Sequence, residues 1–147
     1  MGDFEISFGE TFKANLNISK FRNHTIRGII VMKKMYRLST CSTCSAIIKE
    51  TKVDKKGFEL QDIKTQKITA AQLDEMKKLA GSYEALFSRR ALKYKALGLK
   101  DKALTEKDYR NYILEEYTFL KRPVTITSNK IFIGSEKKTL EAMKKEV

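Results

Sequence analysis

The sequence has little of what a metal site, a membrane span or a nucleotide loop needs. It contains two cysteines and one histidine, so a four-coordinate zinc site formed by Cys and His within one chain is excluded. The longest apolar stretch, Ile29-Ile30-Val31-Met32, is far shorter than the ~20 residues that span a bilayer, and it lacks a signal-peptide layout. Glycine-rich nucleotide loops are absent. We therefore expect a cytoplasmic protein with no bound metal and no membrane contact.

The composition is typical of one soluble globular domain, with 41% hydrophobic and 33% charged residues in 147. The net charge of +12 raises the question of nucleic-acid binding, but the lysines are scattered in pairs and are not interleaved with aromatics. The pairs are Lys33-Lys34, Lys55-Lys56, Lys77-Lys78, Lys137-Lys138 and Lys144-Lys145. We expect most of these charged residues to lie on solvent-exposed faces. The rest of the positive charge is interpreted as attracting an acidic partner or an anionic substrate.

Both cysteines lie in one motif, Cys41-Ser42-Thr43-Cys44, directly after the apolar stretch 34–38. A strand that leads into a Cys-x-x-Cys turn and a helix is typical of thiol redox proteins. At the start of a helix, Cys41 would lose its proton readily, and Cys44, one turn later, would attack a sulfur-linked intermediate. The alternative is a pair of inert cysteines. Ile47, not arginine, stands six residues after Cys41, which excludes a phosphatase-type anion loop.

The hydrophobic pattern predicts four strands and several helices. Strands are expected at 34–38, 58–62, 124–127 and 130–133, with a turn at 54–57 and a hairpin turn at 128–129. Helices are expected at 42–52, from Thr69 to Gly81, at 83–87, at 88–97, from Thr105, and from a Ser135 cap to 146. Capping boxes are predicted where Gln72 follows Thr69 and where Asp108 follows Thr105.

This order, β-α-β, a helical block and β-β-α, is that of thioredoxin with an insertion. We expect an α/β fold with a mixed four-stranded sheet, flanking helices and an inserted helical lobe at about 66–119. Residues 1–33 are interpreted as an N-terminal extension, poorly ordered or loosely attached, and 34–147 as the domain. Pro123 is the only proline and precedes a strand, so it is either the cis proline of a thioredoxin-like site or a trans proline that begins an edge strand.

These residues resemble the arsenate reductase (ArsC) and Spx family of thioredoxin-fold proteins. The resemblance covers residues 34–147 and rests on 36–44, on Lys121-Arg122-Pro123-Val124, on the size of the insertion and on Gly134-Ser135-Glu136. It implies that Cys41 attacks the arsenic of arsenate, and that glutathione with glutaredoxin completes the reduction. It also implies that arginines hold the oxyanion: Arg122 matches one, and Arg89 is the best match for another, with the register uncertain by one residue.

The chain departs from the reductases in three places. Arg37-Leu38-Ser39 replaces their His-Asn-Pro, Gly134 replaces a third arginine, and Cys44 is an additional cysteine. In these three places the chain is similar to Spx-type regulators, which use Cys-x-x-Cys as a redox switch and bind the α-subunit of RNA polymerase. The leading prediction is a monomeric thiol oxidoreductase with no tightly bound cofactor and with glutathione, glutaredoxin or thioredoxin as electron donor. Its substrate would be a small oxyanion or a thiol; the alternative is the regulator.

Overall fold

The computed structural model describes residues 24–26 and 29–147. Its first two strands, β1 (His24–Ile26) and β2 (Ile29–Val31), pair with each other as an antiparallel ribbon. The sequence pattern did not predict this ribbon. The prediction that residues 1–33 are poorly ordered falls mainly on residues 1–23 and 27–28, which lie outside the described part of the chain.

The main sheet has four strands in the order β4-β3-β5-β6. These are β3 (Lys33–Arg37), β4 (Glu59–Asp62), β5 (Val124–Thr127) and β6 (Lys130–Ile133). Strands β3 and β4 are parallel, whereas the other two pairs are antiparallel. The predicted mixed sheet and its hairpin are therefore confirmed, and β3 occupies a central position.

Five α-helices are present in the described residues. They are α1 (Ser42–Thr51), α2 (Ala70–Ala80), α3 (Leu92–Ala96), α4 (Glu106–Glu115) and α5 (Lys137–Glu146). Short 3-10 helices cover Val53–Lys55, Glu84–Leu86, Leu99–Asp101 and Tyr117–Phe119. Helices α2, α3 and α4 all lie between β4 and β5 in the chain, so the helical insertion follows the β-α-β unit as the element order predicted.

Both predicted capping boxes are confirmed. The Thr69 hydroxyl accepts from the Gln72 N–H (3.1 Å), and the Gln72 side chain accepts from the Thr69 N–H (3.0 Å). Thr105 and Asp108 repeat this exchange at the start of α4. Such reciprocal bonds satisfy donors that the first helical turn leaves without partners, so these two starts are determined by local sequence.

Two predicted helix starts are wrong. The helix expected at 88–97 is reduced to α3, because Ser88 instead donates its N–H to the Phe119 carbonyl (2.6 Å) in an extended connection. The last helix begins after Glu136, which is its N-cap and makes no side-chain capping bond. Ser135 therefore lies outside the helix and is not its cap.

The sheet separates two groups of buried side chains, as the two-residue period of a strand requires. On one face, Tyr36 and Val124 pack with Leu73 of α2 and Ile113 of α4. On the other face, Met35 belongs to a smaller cluster that α1 and α5 help to form; its buried members are Met35, Ile47, Val53, Phe58 and Met143. The sheet is thus covered on both sides, and α1 is held firmly against it.

One charged pair is part of the interior. Lys34 is 1% exposed, and its Nζ lies 3.0 Å from Glu59 Oε1 on the neighbouring strand and 5.1 Å from the centre of the Tyr36 ring. Burial lowers the pKa of Lys34, and the Glu59 carboxylate opposes that effect. The two residues face each other in the β3–β4 register, so the pair supports the alignment of the parallel strands.

Candidate functional site

The first cysteine of the Cys-x-x-Cys motif lies where β3 leads into α1. Cys41 is the N-cap of α1, and its own N–H donates to the Leu38 carbonyl (3.0 Å), which closes the connecting turn. The backbone N–H groups of Thr43 and Cys44 favour the ionised form of the Cys41 sulfur and lower its pKa, although the neutral thiol makes no side-chain capping bond. These groups belong to the first turn of the helix, where backbone donors have no partner within the helix.

The surroundings of Cys41 favour its thiolate. Partial burial of the sulfur opposes ionisation, but the N–H of Cys44, the Cys44 thiol, the N–H of Thr43 and the charge of Arg122 together lower the pKa of Cys41. The thiolate is the nucleophilic form of cysteine. Cys41 is therefore suited to attack an electrophilic atom, as its predicted place at the helix start suggests.

Cys44 has the opposite character. Its side chain is fully buried, and this burial, with the neighbouring Cys41 sulfur, raises the pKa of Cys44 to about 11. Both cysteines are free thiols, and the Cys44 side chain contributes to lowering the pKa of Cys41. One cysteine is thus accessible and readily ionised, whereas the other is a protonated neighbour inside the protein.

Two segments that are distant in sequence are joined beside Cys41. Phe87 and Leu120 form an antiparallel β-bridge, and the Lys121 N–H donates to the Leu86 carbonyl (2.8 Å). Arg89 follows the first bridge residue by two positions, and Arg122 follows the second by two. The two segments run in opposite directions from the bridge, and both predicted arginines nevertheless line one cleft.

A cleft of about 420 Å³ lies at this junction, and we call it the Cys41 cleft. Cys41 and Thr43 line it together with both predicted arginines. Its charged lining residues are Arg89, Arg90, Lys121, Arg122 and Glu136. Four cations face a single carboxylate, so the cleft beside the thiolate is electropositive and suits an anion.

Arg122 is the arginine whose charge acts on Cys41. Its Nη1 atom is buried and has no hydrogen-bond acceptor among residues 32–147. A guanidinium that has not committed its donors to the protein can hold an oxyanion through two aligned bonds. The Arg122–Pro123 peptide bond is cis, the first of the two isomers considered for the single proline.

Arg89 lines the cleft but is already engaged. Its Nη2 donates to Glu84 Oε2 (2.8 Å) and to the Tyr109 hydroxyl (3.1 Å), and its guanidinium lies over the Tyr109 ring, 5.9 Å from the centre. Hydrogen bonding to Glu84 raises the pKa of Arg89. Arg90, the next residue, lines the same cleft and has no ion pair among residues 32–147. Arg90 is therefore a further anion-binding candidate. The sequence allowed for this, because the match of the family's arginine to Arg89 was uncertain by one residue.

Gly134 closes the other side of the cleft. Its N–H donates to the Pro123 carbonyl (2.9 Å), and its φ of 88° lies in the left-handed region that favours glycine. A Cβ at this position would meet no atom within 4 Å. The backbone conformation, not lack of space, thus disfavours an arginine here.

Two further observations concern the described residues. No group of three or more His, Cys, Asp or Glu side chains within them is arranged to hold a metal ion. None of their helices is long and apolar enough to cross a membrane.

Comparison with known proteins points to one family. The model of the ArsC family matches residues 36–143. No curated protein matches the chain. Among solved structures, an arsenate reductase from Vibrio cholerae is similar, with 17% identity, a TM-score of 0.61, and coverage of 78% of this chain and 97% of that chain.

Two further structures agree with this result. A possible arsenate reductase from Streptococcus mutans has 25% identity and a TM-score of 0.60, and the match covers 76% of this chain and 96% of that chain. An arsenate reductase (ArsC) related protein from Brucella melitensis has 20% identity and a TM-score of 0.59, over 75% and 92% of the two chains. The likeness is one of fold, and it confirms the α/β thioredoxin-like architecture.

Proposed function

The chain belongs to the ArsC family, and on this basis we propose that it is a thiol-dependent oxidoreductase that reduces an arsenate-type oxyanion at Cys41. The observation that carries the proposal is the accessible Cys41 sulfur, whose pKa is lowered and which faces an electropositive cleft. Nucleophile and anion-binding groups are thereby in one place, as attack on a negatively charged substrate requires.

The proposed reaction has two steps. The Cys41 thiolate attacks the arsenic of arsenate, so that an S–As bond forms and an oxygen leaves as water after taking up protons. A second thiolate then attacks the Cys41 sulfur; an S–S bond forms, the S–As bond breaks, and its electron pair remains on arsenic as arsenite. Two electrons pass to arsenic, and the two thiols become a disulfide.

Cys44 is the proposed second thiol because it lies one helical turn from Cys41 and each of the two side chains shifts the pKa of the other. Burial, and to a lesser extent the neighbouring Cys41 sulfur, raise the pKa of Cys44 and keep it protonated; when the Cys41 sulfur is bonded to arsenic, the second contribution is removed and the effect of burial remains. An external thiol is the other source of the second sulfur. We propose glutathione with glutaredoxin, or thioredoxin, as the electron donor of a monomeric cytoplasmic enzyme without a tightly bound cofactor.

The arginines have distinct proposed roles. Arg122 binds the oxyanion and stabilises the Cys41 thiolate, and Pro123, which follows it, shapes the substrate side of the site. Arg90 supplies a second cation to the oxyanion. Arg89 is expected to position this segment through Glu84 and Tyr109, in addition to the anion-binding role that the family resemblance implies.

A coupled assay tests the proposal. Arsenate-dependent oxidation of NADPH is measured with glutathione, glutaredoxin and glutathione reductase. We expect turnover that is lost in Cys41→Ser. Arg122→Ala should raise KM for arsenate about tenfold or more, since a charge-assisted hydrogen bond contributes about 1.5–3 kcal/mol. Lys121→Ala, at the adjacent position in the same cleft, is the matched control and should change KM much less. Absence of arsenate turnover in the wild-type protein would contradict the proposal.

The two adjacent arginines are compared in the same assay. Arg90→Ala should raise KM for arsenate, because its guanidinium is free to contact the anion. Arg89→Lys should keep the charge but lose the paired contacts with Glu84 and Tyr109, and should lower thermal stability as well as activity. An unchanged KM in Arg90→Ala would return the anion-binding role to Arg89.

A second candidate function is a redox-sensing regulator that binds the RNA polymerase α-subunit. The observation that favours it is the buried second cysteine in contact with the first, together with a glycine at position 134. A Cys41–Cys44 disulfide would have to draw the buried sulfur and the N-cap together, and it would change the first turn of α1. A pull-down of the α-subunit with reduced and oxidised protein tests this function. Firm binding by a protein without arsenate turnover would favour the regulator.

A further inference from the structure

A second depression lies beside α1, between that helix, the Val53–Lys55 turn and strands β3 and β4. Its volume is about 470 Å³, and it shares no lining residue with the Cys41 cleft. Four cations line it: Arg37, Lys49, Lys52 and Lys55. We call this set the α1 flank. Lys49, Lys52 and Lys55 come from one local segment at a spacing of three residues, at the end of α1 and in the following 3-10 helix. The fold adds Arg37 to them from the end of β3.

The positive charge of the α1 flank is not balanced by the protein. Asp54 is its one acidic lining residue, which leaves three unbalanced positive charges. Among residues 32–147, no carboxylate lies within ion-pair distance of the three lysines, whereas Lys130 and Lys144 elsewhere each have a glutamate partner. Like charges that share a depression repel each other, and a bound anion would remove that repulsion.

Arg37 adds a second observation. Its Nε atom is buried, and no acceptor among residues 32–147 bonds to it. Its charge contributes to lowering the pKa of Asp62, but no ion pair joins the two side chains. Buried polar groups without partners are rare in folded proteins. The Nε atom itself is out of reach of a ligand, so Arg37 would meet an anion through the part of its side chain that lines the depression.

We propose that the α1 flank binds a polyphosphate group, either free or carried by a nucleoside. A triphosphate places three to four negative charges within one small group, which matches the unbalanced charge, whereas a single carboxylate would leave most of it. Half-buried Ile48 and Leu60 also line the depression and offer an apolar surface to the rest of a nucleotide. The volume falls within the roughly 300–1,000 Å³ that small-molecule sites occupy. This inference does not depend on the chemistry at Cys41.

Isothermal titration with tripolyphosphate and, separately, with ATP in magnesium-free buffer tests the inference. We expect saturable binding to the full chain. The double variant Lys49→Ala with Lys55→Ala should weaken it about tenfold or more, since each lost cation removes a charge-assisted contact. The matched control is Lys64→Ala with Lys67→Ala; these lysines are exposed and lie outside both depressions, and the dissociation constant should change less than about twofold.

Further binding measurements distinguish a nucleotide from a free polyphosphate, and the α1 flank from other anion-binding sites. ATP that binds about tenfold more tightly than tripolyphosphate identifies a nucleotide, and equal affinities identify a free polyphosphate. Arg37→Gln should weaken both ligands, and its melting temperature shows whether it folds. The proposal is overturned if no saturation is reached, if the control pair weakens binding as much as the flank pair, or if only Arg122→Ala abolishes it. Preferential binding of a single-stranded RNA, reduced equally in both lysine pairs, would also overturn it.

Discussion

Replacing Cys44 by alanine should raise the pKa of Cys41. Hydrogen bonding by the Cys44 side chain to the Cys41 thiolate contributes to lowering that pKa, and a hydrogen bond to a charged acceptor contributes about 1.5–3 kcal/mol. Because Cys41 is only partly buried, the lower end of this range applies, and about 1.4 kcal/mol corresponds to a tenfold change in the thiolate fraction. The thiolate of the variant should therefore form at higher pH than that of the wild-type protein.

The assay is the rate of alkylation of Cys41 by iodoacetamide as a function of pH, followed by mass spectrometry. Below the pKa, the rate in Cys44→Ala should be about tenfold lower than in the wild-type protein, because the thiolate fraction falls by that factor. Cys44 does not obscure the measurement. With a pKa of about 11, roughly one Cys44 in ten thousand is ionised at pH 7, and its side chain is fully buried.

Cys44→Ser is the matched variant, because its hydroxyl keeps a hydrogen-bond donor at the same position. Its alkylation rate below the pKa should stay close to that of the wild-type protein. The reasoning would be refuted if Cys44→Ala titrated at the wild-type pH or below it, since Cys44 would then not stabilise the thiolate. Equal shifts in the alanine and serine variants would assign the effect to packing and not to the donated hydrogen bond.

Three further changes test the structure that supports the site. The Arg110 guanidinium holds the pKa of Asp74 at about 2, below the roughly 3.9 of an unfolded chain. The stabilising contribution of Asp74 is therefore present above about pH 4 and lost as the pH falls towards 2. Asp74→Asn should flatten the dependence of the melting temperature on pH over that range, and equal slopes in the variant and the wild-type protein would contradict this. Thr69→Ala removes one half of a capping box and should cost about 1 kcal/mol in urea unfolding, unless the α2 start is held by packing alone. Phe87→Ala should cost about 3–5 kcal/mol in the same measurement, because this fully buried ring contacts four other aromatic rings; a loss below about 1 kcal/mol would show that the cluster does not support the bridge.

The predictions that depended on local chemistry are the ones that the structure confirms. Both capping boxes are formed because threonine and its partner three residues later bond to each other's backbone within one turn. The hairpin over 124–133 and the cis bond at Pro123 are present, and the order of the elements yields the expected mixed sheet. The capping boxes and the hairpin need few contacts beyond their own neighbourhood, whereas the mixed sheet was predicted from the order of the elements and the cis bond from the upstream Cys-x-x-Cys motif.

The predictions that failed concern segments whose backbone bonds to distant residues. The helix expected at 88–97 is shortened because Ser88 donates to Phe119, some thirty positions away, and no local pattern signals that partner. Serine is a residue type that often caps helices, but here the Gly134 N–H donates to the Pro123 carbonyl and the helix begins only after Glu136. Propensity is overridden in each case by a tertiary hydrogen bond.

For the site, the amino-acid sequence by itself determined that Cys41 would stand at a helix start with Cys44 one turn later, because the spacing in Cys-x-x-Cys and the adjoining strand and helix are local properties. Only the tertiary structure decided that Cys44 is buried with a raised pKa, that Arg89 is bound to Glu84 and Tyr109, and that Arg90 lines the cleft. The physical reason is that burial and charge pairing depend on which distant segments come into contact. Here the bridge between Phe87 and Leu120 joins two such segments.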